Sequence, residues 1–427
     1  MNILILGSGG REHTLAWKIK QSPKCDRIYI APGNGGTHQV GTNLPLDGKD
    51  FEAVAAAIKE HKIDMLVIGP EEPLVKGIVD FLKKDKDLKQ LKIIGPGAKG
   101  AQLEGSKEFA KEFMKKYKIP TADARTVTKE NLEETIKYME RLEPPYVLKA
   151  DGLAGGKGVI ITEELEEARK SLRELVEKKK FGEASEKVLL EQFLKGIEVS
   201  FFVLTDGEDY RILPEAKDYK RIGEKDTGLN TGGMGAVSPV IFADRAFKKK
   251  VNDQIIRPTI EGLKKENIDY CGFIFFGLIN VGGDPYVIEY NVRMGDPETE
   301  VVLPRLKGDF LELLIATADK KLIDTEIEHE RFTASTVMYV SRGYPEFYEK
   351  GHEITLGDMR AVLTFHAGTK IDDGKLVTNG GRVLALTGLG KNLGEALSKS
   401  YAGGQEVKWE GKRYREDIGF DLKSLGQ

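Results

Sequence analysis

The sequence predicts an α/β protein in three parts: an N-terminal doubly wound parallel-sheet domain, a central domain with a small lid subdomain, and a C-terminal, mostly β packing domain. Apolar strand-like runs alternate with helices in the first part, and a glycine-rich hairpin between amphipathic helices lies in the middle. Short strand-like runs dominate the end of the chain. We place the domains at residues 1–103, 104–330 and 331–427, with the lid at about 122–193.

Composition and charge restrict the partners of this chain. Its 427 residues suffice for several domains with sizeable cores, and the 31% of charged residues is ordinary for a globular protein. A formal net charge of −3 gives no general attraction to nucleic acid or to an anionic membrane. Cys25 and Cys271 have no metal-ligand spacing, and the start of the sequence does not read as a signal peptide. We therefore expect a cytoplasmic protein that binds small molecules. We also expect a monomer, a state on which composition and charge do not bear.

The first strand and turn form an anion-binding pattern. Residues 2–6 are a continuous apolar run, as in a strand buried on both faces, and residues 14–20 read as a helix after the turn GSGGREH. The turn does not complete the dinucleotide fingerprint, because Glu12 stands where the third glycine belongs. The second strand also ends at Ala31 and not at an acidic residue. NAD is therefore not expected.

Glycine and acidic residues follow the next strands as well. A second glycine turn occupies residues 32–37, and the buried strand at residues 64–69 ends in GPEEP. Ligands of a doubly wound sheet bind at the carboxyl ends of its strands, so Gly9, Asn34 and Glu71 should converge there. This favours a pocket for a small phosphorylated sugar, with Glu71 available for hydroxyls or an amine. Tight βα turns without a ligand are the alternative.

The stretch PYVLKADGLAGGKGV, residues 145–159, organises the central domain. A strand ends on its first lysine, a glycine-rich turn follows, and a second strand begins after the turn. Glycines expose backbone N–H groups to an anion and a lysine adds a mobile charge, which suits a triphosphate. The P-loop spelling is absent, so we expect a flap over a nucleotide, with a solvated hairpin as the alternative. The candidate ligands are Lys149, Gly152, Gly155, Gly156, Lys157 and Gly158.

Amphipathic helices surround this hairpin. Residues 104–117 read as one helix with Lys107 near its start, and the position of this lysine before the hairpin makes it a phosphate candidate. A lysine in such a helix is more often simply solvated. Residues 129–141 and 163–180 read as two more helices, which together with the hairpin imply the lid.

A strand at residues 188–194 runs into a hinge that can offer adenine its backbone N–H and C=O groups. We expect Phe193 and Leu194 to line the base, and Glu191 to accept its exocyclic amine. Glu198 is then placed for the ribose hydroxyls. Each glutamate, taken alone, is more often a surface residue.

Residues 216–238 show no hydrophobic period and are dense in glycine and charged residues, so we expect a long loop. A loop of this length is either functional or disordered. Its mixture of specific residue types is unlike a low-complexity linker and favours substrate recognition. The candidates are Asp218, Lys220, Arg221, Thr231 and Gly232.

Residues 273–281 and 285–290 read as paired strands, and strand alternation would place Glu289, Asn291 and Arg293 on one face. Two oxygen ligands two residues apart suit Mg²⁺ or Mn²⁺, which takes few carboxylates together with phosphate oxygens. Arg293 can clamp a carboxylate or phosphate bidentately. Asp296, in the turn that follows, is a further substrate candidate. A plain polar strand face is the alternative.

The C-terminal part reads as short strands at residues 333–340, 361–365, 376–378 and 382–387, with a helix at 392–401. It carries few glycine turns of the phosphate-binding type. We expect a packing domain that closes the active site.

These residues together resemble the ATP-grasp superfamily and, within it, the phosphoribosylamine–glycine ligase family. The resemblance covers essentially the whole chain. Its motifs are GSGGREH from Gly7, VLKADGLAGGKGV from Val147, DYKRIGEKDTGLNTGGMGA from Asp218, NVRMGDPETE from Asn291, ASTVMYVSRGYPEFYEKG from Ala334, FHAGT from Phe365 and YREDIG from Tyr414.

The resemblance implies that ATP, glycine and 5-phosphoribosylamine give glycinamide ribonucleotide, ADP and phosphate through glycyl phosphate. Arg293, Lys149 and Lys107 are the catalytic residues that it implies. Residues 273–278 are apolar, as is usual in this branch, so the resemblance does not imply a second magnesium ion. Residues 401–406, YAGGQE, depart from the family's helix end, which concerns packing.

Two other functions fit part of the pattern. A related ATP-grasp ligase or carboxylase would use another carboxylate or amine, and its spelling at the Asp218 loop and Asn34 turn would differ. A nucleotide sensor without turnover would not need Lys149, Glu289, Asn291 and Arg293 together.

Overall fold

The structure is a computed structural model that describes residues 1–153, 158–178, 182 and 186–423. It is mixed α/β, with a parallel sheet first, an antiparallel lid and central sheet next, and a mostly antiparallel β part last. The fold class predicted from the sequence is therefore confirmed. Every helix in the described ranges is too short or too polar to cross a bilayer.

The N-terminal part is a five-stranded parallel sheet in the order β3-β2-β1-β4-β5. Residues 3–6 of its central strand are completely buried, which explains the uninterrupted apolar run. The direction of strand order reverses beside β1, so a crevice opens at the carboxyl ends of β1 and β4. The elements are β1 Asn2–Gly7, α1 Gly10–Ile19, β2 Arg27–Pro32, β3 Thr42–Asn43, α2 Phe51–Glu60, β4 Met65–Ile68, α3 Glu71–Val75, α4 Ile78–Lys84, β5 Lys92–Ile94 and α5 Ala98–Gly105.

Glu12 explains both the broken fingerprint and the early start of α1. Its carboxylate accepts a hydrogen bond from Gly9 N at 2.7 Å and caps the helix, which therefore begins at Gly10 and not at the predicted Thr14. Gly7, with φ of +125°, lies so close to this side chain that a Cβ would fall 2.4 Å from Glu12 Cγ. The third glycine of the fingerprint is thus replaced by an internal cap.

The single helix predicted for residues 104–117 is wrong, because the chain breaks it at Ser106. This residue is extended, with φ of −138° and ψ of 116°, and its Oγ accepts a hydrogen bond from Phe109 N. Helix α5 ends at Gly105, and a new helix, α6 Lys107–Lys116, begins with the predicted lysine. The apolar residues keep their helical spacing across Ser106, so this spacing does not reveal the capping residue.

The lid is a four-stranded antiparallel sheet in the order β6-β9-β7-β8, with its own small apolar core. Strands β7 and β8 pair directly, with Lys149 opposite Val159, so the predicted hairpin is present. Gly155, Gly156 and Lys157 lie outside the described residues. The elements are β6 Ala124–Val127, α7 Leu132–Tyr138, β7 Tyr146–Ala150, β8 Val159–Thr162, α8 Leu165–Glu177 and β9 Val188–Glu191.

The central part is built on the antiparallel sheet β11-β10-β16-β17. The loop expected at residues 216–238 is instead four short strands, of which two belong to the C-terminal sheet. Strands of two to four residues are too short to show a period, so the pattern could not reveal them. The elements are β10 Ile197–Thr205, β11 Tyr210–Ile212, β12 Lys217–Asp218, β13 Arg221–Gly223, β14 Thr227–Asn230, β15 Gly235–Ser238, α9 Arg245–Val251, α10 Arg257–Lys265, β16 Gly272–Val281, β17 Asp284–Asn291, α11 Thr299–Val302, β18 Leu306–Lys307, α12 Phe310–Ala318 and β19 Glu328–His329.

The C-terminal part continues the sheet β12-β15-β20-β25-β22, with one long helix packed on it. This helix extends past the expected end at residue 401, because Gly404 packs on the Tyr339 ring, where a Cβ would fall 1.8 Å from the hydroxyl. The glycines of YAGGQE thus allow the helix to pack closely on the sheet. The elements are β20 Thr333–Ser341, β21 Thr355–Leu356, β22 Leu363–His366, β23 Thr369–Asp372, β24 Lys375–Thr378, β25 Arg382–Gly390, α13 Leu393–Glu406, β26 Val407–Lys408, β27 Lys412–Arg413 and α14 Phe420–Lys423.

Candidate active site

A cavity of about 1000 Å³ lies where the N-terminal part, the lid and the central sheet meet. Residues predicted from distant parts of the sequence line it together. They are Gly9, Glu71, Lys107, Lys149, Gly152, Gly158, Glu191, Phe193, Leu194, Glu198, Asp218, Lys220, Arg221, Thr231, Gly232, Glu289, Asn291, Arg293 and Asp296.

Lys107 binds the start of the glycine-rich hairpin. Its Nζ donates to the carbonyl oxygens of Ala150, Asp151 and Gly152 at 2.8, 3.3 and 3.2 Å. The Asp151 carboxylate in turn accepts from Glu108 N, so the helix start and the hairpin hold each other. Burial lowers the pKa of Lys107, although Glu289 opposes this effect. The lysine therefore lies at the base of the flap with its donors directed at backbone oxygens.

Lys149 and Glu191 form a buried ion pair across the lid sheet, with Nζ 2.8 Å from Oε2. Lys111 lies 3.4 Å from the same oxygen and also donates to Thr121 Oγ1 and the Ala122 carbonyl. Both lysines contact the same oxygen of Glu191, Oε2, and the predicted contact of this carboxylate with an adenine amine stays a prediction. The sequence analysis did not identify Lys111. It lies four residues after Lys107 and therefore on the same helix face, which is the pattern that could have indicated it.

Glu198 and the residues of the predicted recognition loop meet on the opposite wall. Lys220 Nζ lies 2.7 Å from Glu198 Oε2. Asp218 is 7% exposed, and burial raises its pKa against the attraction of Lys220. Thr231 Oγ1 donates to the Lys220 carbonyl and Arg221 Nη1 to the Gly228 carbonyl, so these two side chains shape the loop itself.

Glu289 and Asn291 present oxygen ligands on one face of β17, opposite Gly277 and Phe275 of β16. Within the described ranges, Asn291 Nδ2 is buried and has no hydrogen-bond partner. The amide nitrogen can donate to a phosphate oxygen or to water, and the amide oxygen beside the Glu289 carboxylate is a ligand type that suits a hard cation. No cluster of three or more carboxylates, histidines or cysteines suited to a metal exists among the described residues. A cation held here would therefore need phosphate oxygens or water to complete its ligands.

Arg293 does not share that face, because β17 ends at Asn291. Its guanidinium lies between two carboxylates, with Nη2 2.7 Å from Glu104 Oε1 and Nε 3.1 Å from Glu71 Oε2. Glu104 Oε2 accepts from Val292 N at 2.8 Å. Burial raises the pKa of Glu104 to about 7, although Arg293 opposes this. Glu104 was missed because its contacts lie almost 190 residues away, so no local pattern marks it.

A second cavity of about 700 Å³ adjoins the first, and the two share Gly9, Asp296 and Arg382 in their linings. Asn34 lines this second cavity, but its amide is fully used: Nδ2 donates to the Ser8 and His366 carbonyls, and Oδ1 accepts from the Gly36 and Thr37 amides. The Asn34 side chain therefore holds the backbone of this wall in place, and its predicted place in the substrate site stays a prediction.

The C-terminal part contributes directly to the second cavity, through Thr369, Lys370, Asn379 and Arg382. Arg382 Nη2 lies 2.9 Å from Asp296 Oδ1, and Asp296 Oδ2 accepts from Arg11 N at 3.0 Å. Burial raises the pKa of Asp296 and the charge of Arg382 lowers it, and the net effect of its surroundings is a lowered pKa. This part of the chain is therefore more than packing, since it supplies cations to the site.

Three family descriptions match the chain in succession. They are the N domain of phosphoribosylglycinamide synthetase at residues 1–104, its ATP-grasp (A) domain at 105–299 and its C domain at 334–421. The chain belongs to the phosphoribosylglycinamide synthetase family. The resemblance seen in the sequence is thereby confirmed, and the family's ATP-grasp domain implies ATP together with a divalent metal.

Curated relatives and solved structures agree with this family. Proteins named phosphoribosylamine–glycine ligase from Clostridium acetobutylicum and Haemophilus influenzae are each 43% identical over 98% of this chain, and over 99% and 98% of their own lengths. The crystal structure of that ligase from Thermotoga maritima is 40% identical, covers 98% of this chain and 100% of the other, and has a TM-score of 0.82. A biotin carboxylase from Campylobacter jejuni, 16% identical with a TM-score of 0.72 over 100% of this chain and 95% of the other, shows the fold alone.

Proposed function

We propose that this family member joins glycine to 5-phosphoribosylamine at the expense of ATP, as the names of its relatives indicate. The products are glycinamide ribonucleotide, ADP and phosphate, a step of purine biosynthesis. The observation that supports this best is the pair of adjoining cavities, because one holds the nucleotide-type lysines beside Arg293 and the other opens onto Lys370 and Arg382. A ligase of three substrates needs two sites in contact.

ATP is proposed to occupy the larger cavity, with its base at the hinge by Phe193 and Leu194 and its ribose near Glu198. Lys107 and Lys149 are proposed to exchange their present partners for phosphate oxygens. Glu289 and Asn291 would hold Mg²⁺, or Mn²⁺, which when bound supplies positive charge to the phosphate oxygens.

Glycine is proposed to bind between Arg293 and the Asp218 loop. Its carboxylate oxygen attacks the γ-phosphorus, the bond to the β-phosphate oxygen breaks, and ADP leaves glycyl phosphate behind. The buried lysines stabilise charge on the transferred group, so positioning and electrostatics provide the catalysis. Exclusion of water by the lid protects the acyl phosphate from hydrolysis.

5-Phosphoribosylamine is proposed to occupy the second cavity. Lys370 and Arg382 suit its 5′-phosphate, and the glycine turn at Gly9 lines the same cavity. Its amine then reaches the acyl carbon at the junction of the cavities, forms the amide bond and expels phosphate. Glu71, which lies beside Arg293, is proposed to orient that amine.

The remaining parts of the proposal concern assembly and place. We propose a monomer that works in the cytoplasm, consistent with Cys25 and Cys271 both being free thiols. Light scattering of the purified protein at several concentrations tests the monomer, because a mass that doubles with concentration would contradict it.

ADP release tests the function. The assay contains Mg²⁺ and ATP, with phosphoribosylamine generated in place from ribose 5-phosphate and ammonia, with and without glycine. We expect release that requires both glycine and phosphoribosylamine and that is lost in Lys149→Met. Release that ignores glycine would indicate another ATP-grasp ligase or a carboxylase, and nucleotide binding without any release would indicate a sensor.

A further inference from the structure

The substrate loop, defined as residues 217–232, has an exposed tip with little support of its own. Its strands β13 and β14 form a separate two-stranded sheet, and residues 224–229 are exposed. An isolated two-stranded hairpin is at best marginally stable in water. The position of this loop must therefore depend on its contacts with other parts of the chain.

The C-terminal clamp, defined as residues 415–421, contacts both the first strand and the tip of this hairpin. The Arg415 side chain is completely buried, and its Nη1 lies 2.7 Å from Asp226 Oδ1 and 3.1 Å from the Arg221 carbonyl. Nε and Nη2 bind both oxygens of Asp417 at 2.8 and 2.9 Å, and Asp417 Oδ2 also accepts from Lys225 N. The guanidinium thus joins two loop residues to the end of the chain in a fixed fork geometry.

A second contact fixes the start of the loop. Tyr219 donates from its hydroxyl to Asp421 Oδ1 at 2.7 Å, and Lys217 Nζ lies 3.1 Å from Asp421 Oδ2. The Tyr219 ring lies between two cations, with Lys217 Nζ 4.0 Å and Arg415 Cζ 5.5 Å from its centre. The residues on either side of this anchor, Asp218 and Lys220, line the large cavity.

We propose that the C-terminal clamp positions the substrate loop and that Arg415 is its key positioning residue, so that the affinity for glycine depends on a contact outside the site. In the described part of the chain, neither Arg415 nor Asp417 lines either cavity, whereas their neighbours Asp226 of the loop and Asp421 of the clamp line the larger one, so an effect of either substitution on glycine passes through these neighbours. The proposal rests on the proposed function for its choice of glycine. It explains why YREDIG belongs among the motifs of the chain although it carries no substrate-binding role.

The test compares Arg415→Ala and Asp417→Ala with the control Arg413→Ala, an exposed arginine whose side chain donates, among the described residues, to the adjacent Lys412 carbonyl. We expect the KM for glycine to rise by about 10- to 100-fold in the first two, because charge-assisted hydrogen bonds are lost. The Kd of a non-hydrolysable ATP analogue should rise by less than the KM for glycine does, since the substrate loop reaches the proposed nucleotide residues through the Lys220–Glu198 ion pair. Guanidinium ion should partly restore the glycine KM of Arg415→Ala.

Hydrogen exchange of the unliganded protein gives a readout that needs no activity. Amides of β13 and β14 should exchange at least about tenfold faster in Arg415→Ala and Asp417→Ala, and at the wild-type rate in Arg413→Ala. A fall in kcat without a change in the glycine KM, or unchanged exchange of the hairpin, would overturn the clamp. Wild-type protein without glycine-dependent ADP release would instead reject the proposed function, whatever the exchange shows.

Discussion

Replacement of Lys149 by methionine separates the structural from the catalytic role of the buried pair. The Lys149 and Glu191 side chains are 9% and 4% exposed and lie 2.8 Å apart. Removing one partner of a buried ion pair lowers the free energy of unfolding by about 3–5 kcal/mol. Because Lys111 lies 3.4 Å from Glu191 and still compensates its charge, we expect a loss at the lower end, about 3 kcal/mol. Turnover should fall by about 10²- to 10³-fold, as when one preorganised donor to a developing charge is lost.

The double variant Lys149→Met/Glu191→Gln should recover part of the lost stability but not turnover, because it removes the unpaired Glu191 charge while Lys111 loses this carboxylate as a partner. Hydrogen exchange of β7 and β9 amides measures the stability of the lid, and about 3 kcal/mol corresponds to roughly 100-fold faster exchange in the single variant. Lys187→Met, which removes a half-exposed ion pair with Glu108 in the same region, is the control and should change little. Turnover regained by the double variant would refute the catalytic role, and unchanged exchange in the single variant would refute the energetic one.

Two further predictions concern the metal and the pH. Asn291→Leu should leave the thermal stability unchanged or higher, because Nδ2 has no partner in the described part of the chain. Metal-dependent ADP release should fall at least about 100-fold. A Mg²⁺ titration of the variant that matches the wild type would contradict the proposal that Asn291 holds the metal. Burial lowers the pKa of His366 from 6.5 to about 4, so as the pH falls this histidine is protonated in the unfolded chain before it is protonated in the folded protein. The contribution of neutral His366 to the free energy of unfolding is therefore complete above about pH 6.5 and is lost as the pH falls towards 4. The wild-type advantage over His366→Asn in unfolding free energy should therefore shrink by up to about 3 kcal/mol between pH 7.5 and 4.5, and a constant difference would refute this.

The sequence predicted those elements whose signals are local. The buried run of β1, the paired strands β16 and β17, and the helical character of residues 107–116 all follow from residues adjacent in the chain. The same local evidence failed at Ser106, where a capping residue interrupts an apolar stripe without changing its period. It also failed in the substrate loop, whose strands are too short to alternate.

Candidate residues were found where a residue type and a turn coincide, as at Lys149 and Glu289. Glu104, Lys111 and Arg382 were missed because their importance arises from partners distant in sequence or from a helix face that reads as solvated. The Arg382–Asp296 contact joins residues 86 positions apart, and no spacing rule connects them. The assignment of each residue to ATP, glycine or phosphoribosylamine stays a prediction.

The partners of Lys107 and Lys149 bear on how a product leaves this site. Both ammonium groups already contact protein oxygens, so a triphosphate bound as proposed would gain them by exchange and lose them to the same oxygens on departure. The lysines are also already removed from water, so the nucleotide does not bear the full cost of their desolvation. Exchange of this kind lowers the net affinity for ground-state phosphates while leaving the charges aligned for the transferred group. Rapid release of ADP and strong stabilisation of the transition state can therefore come from the same two side chains.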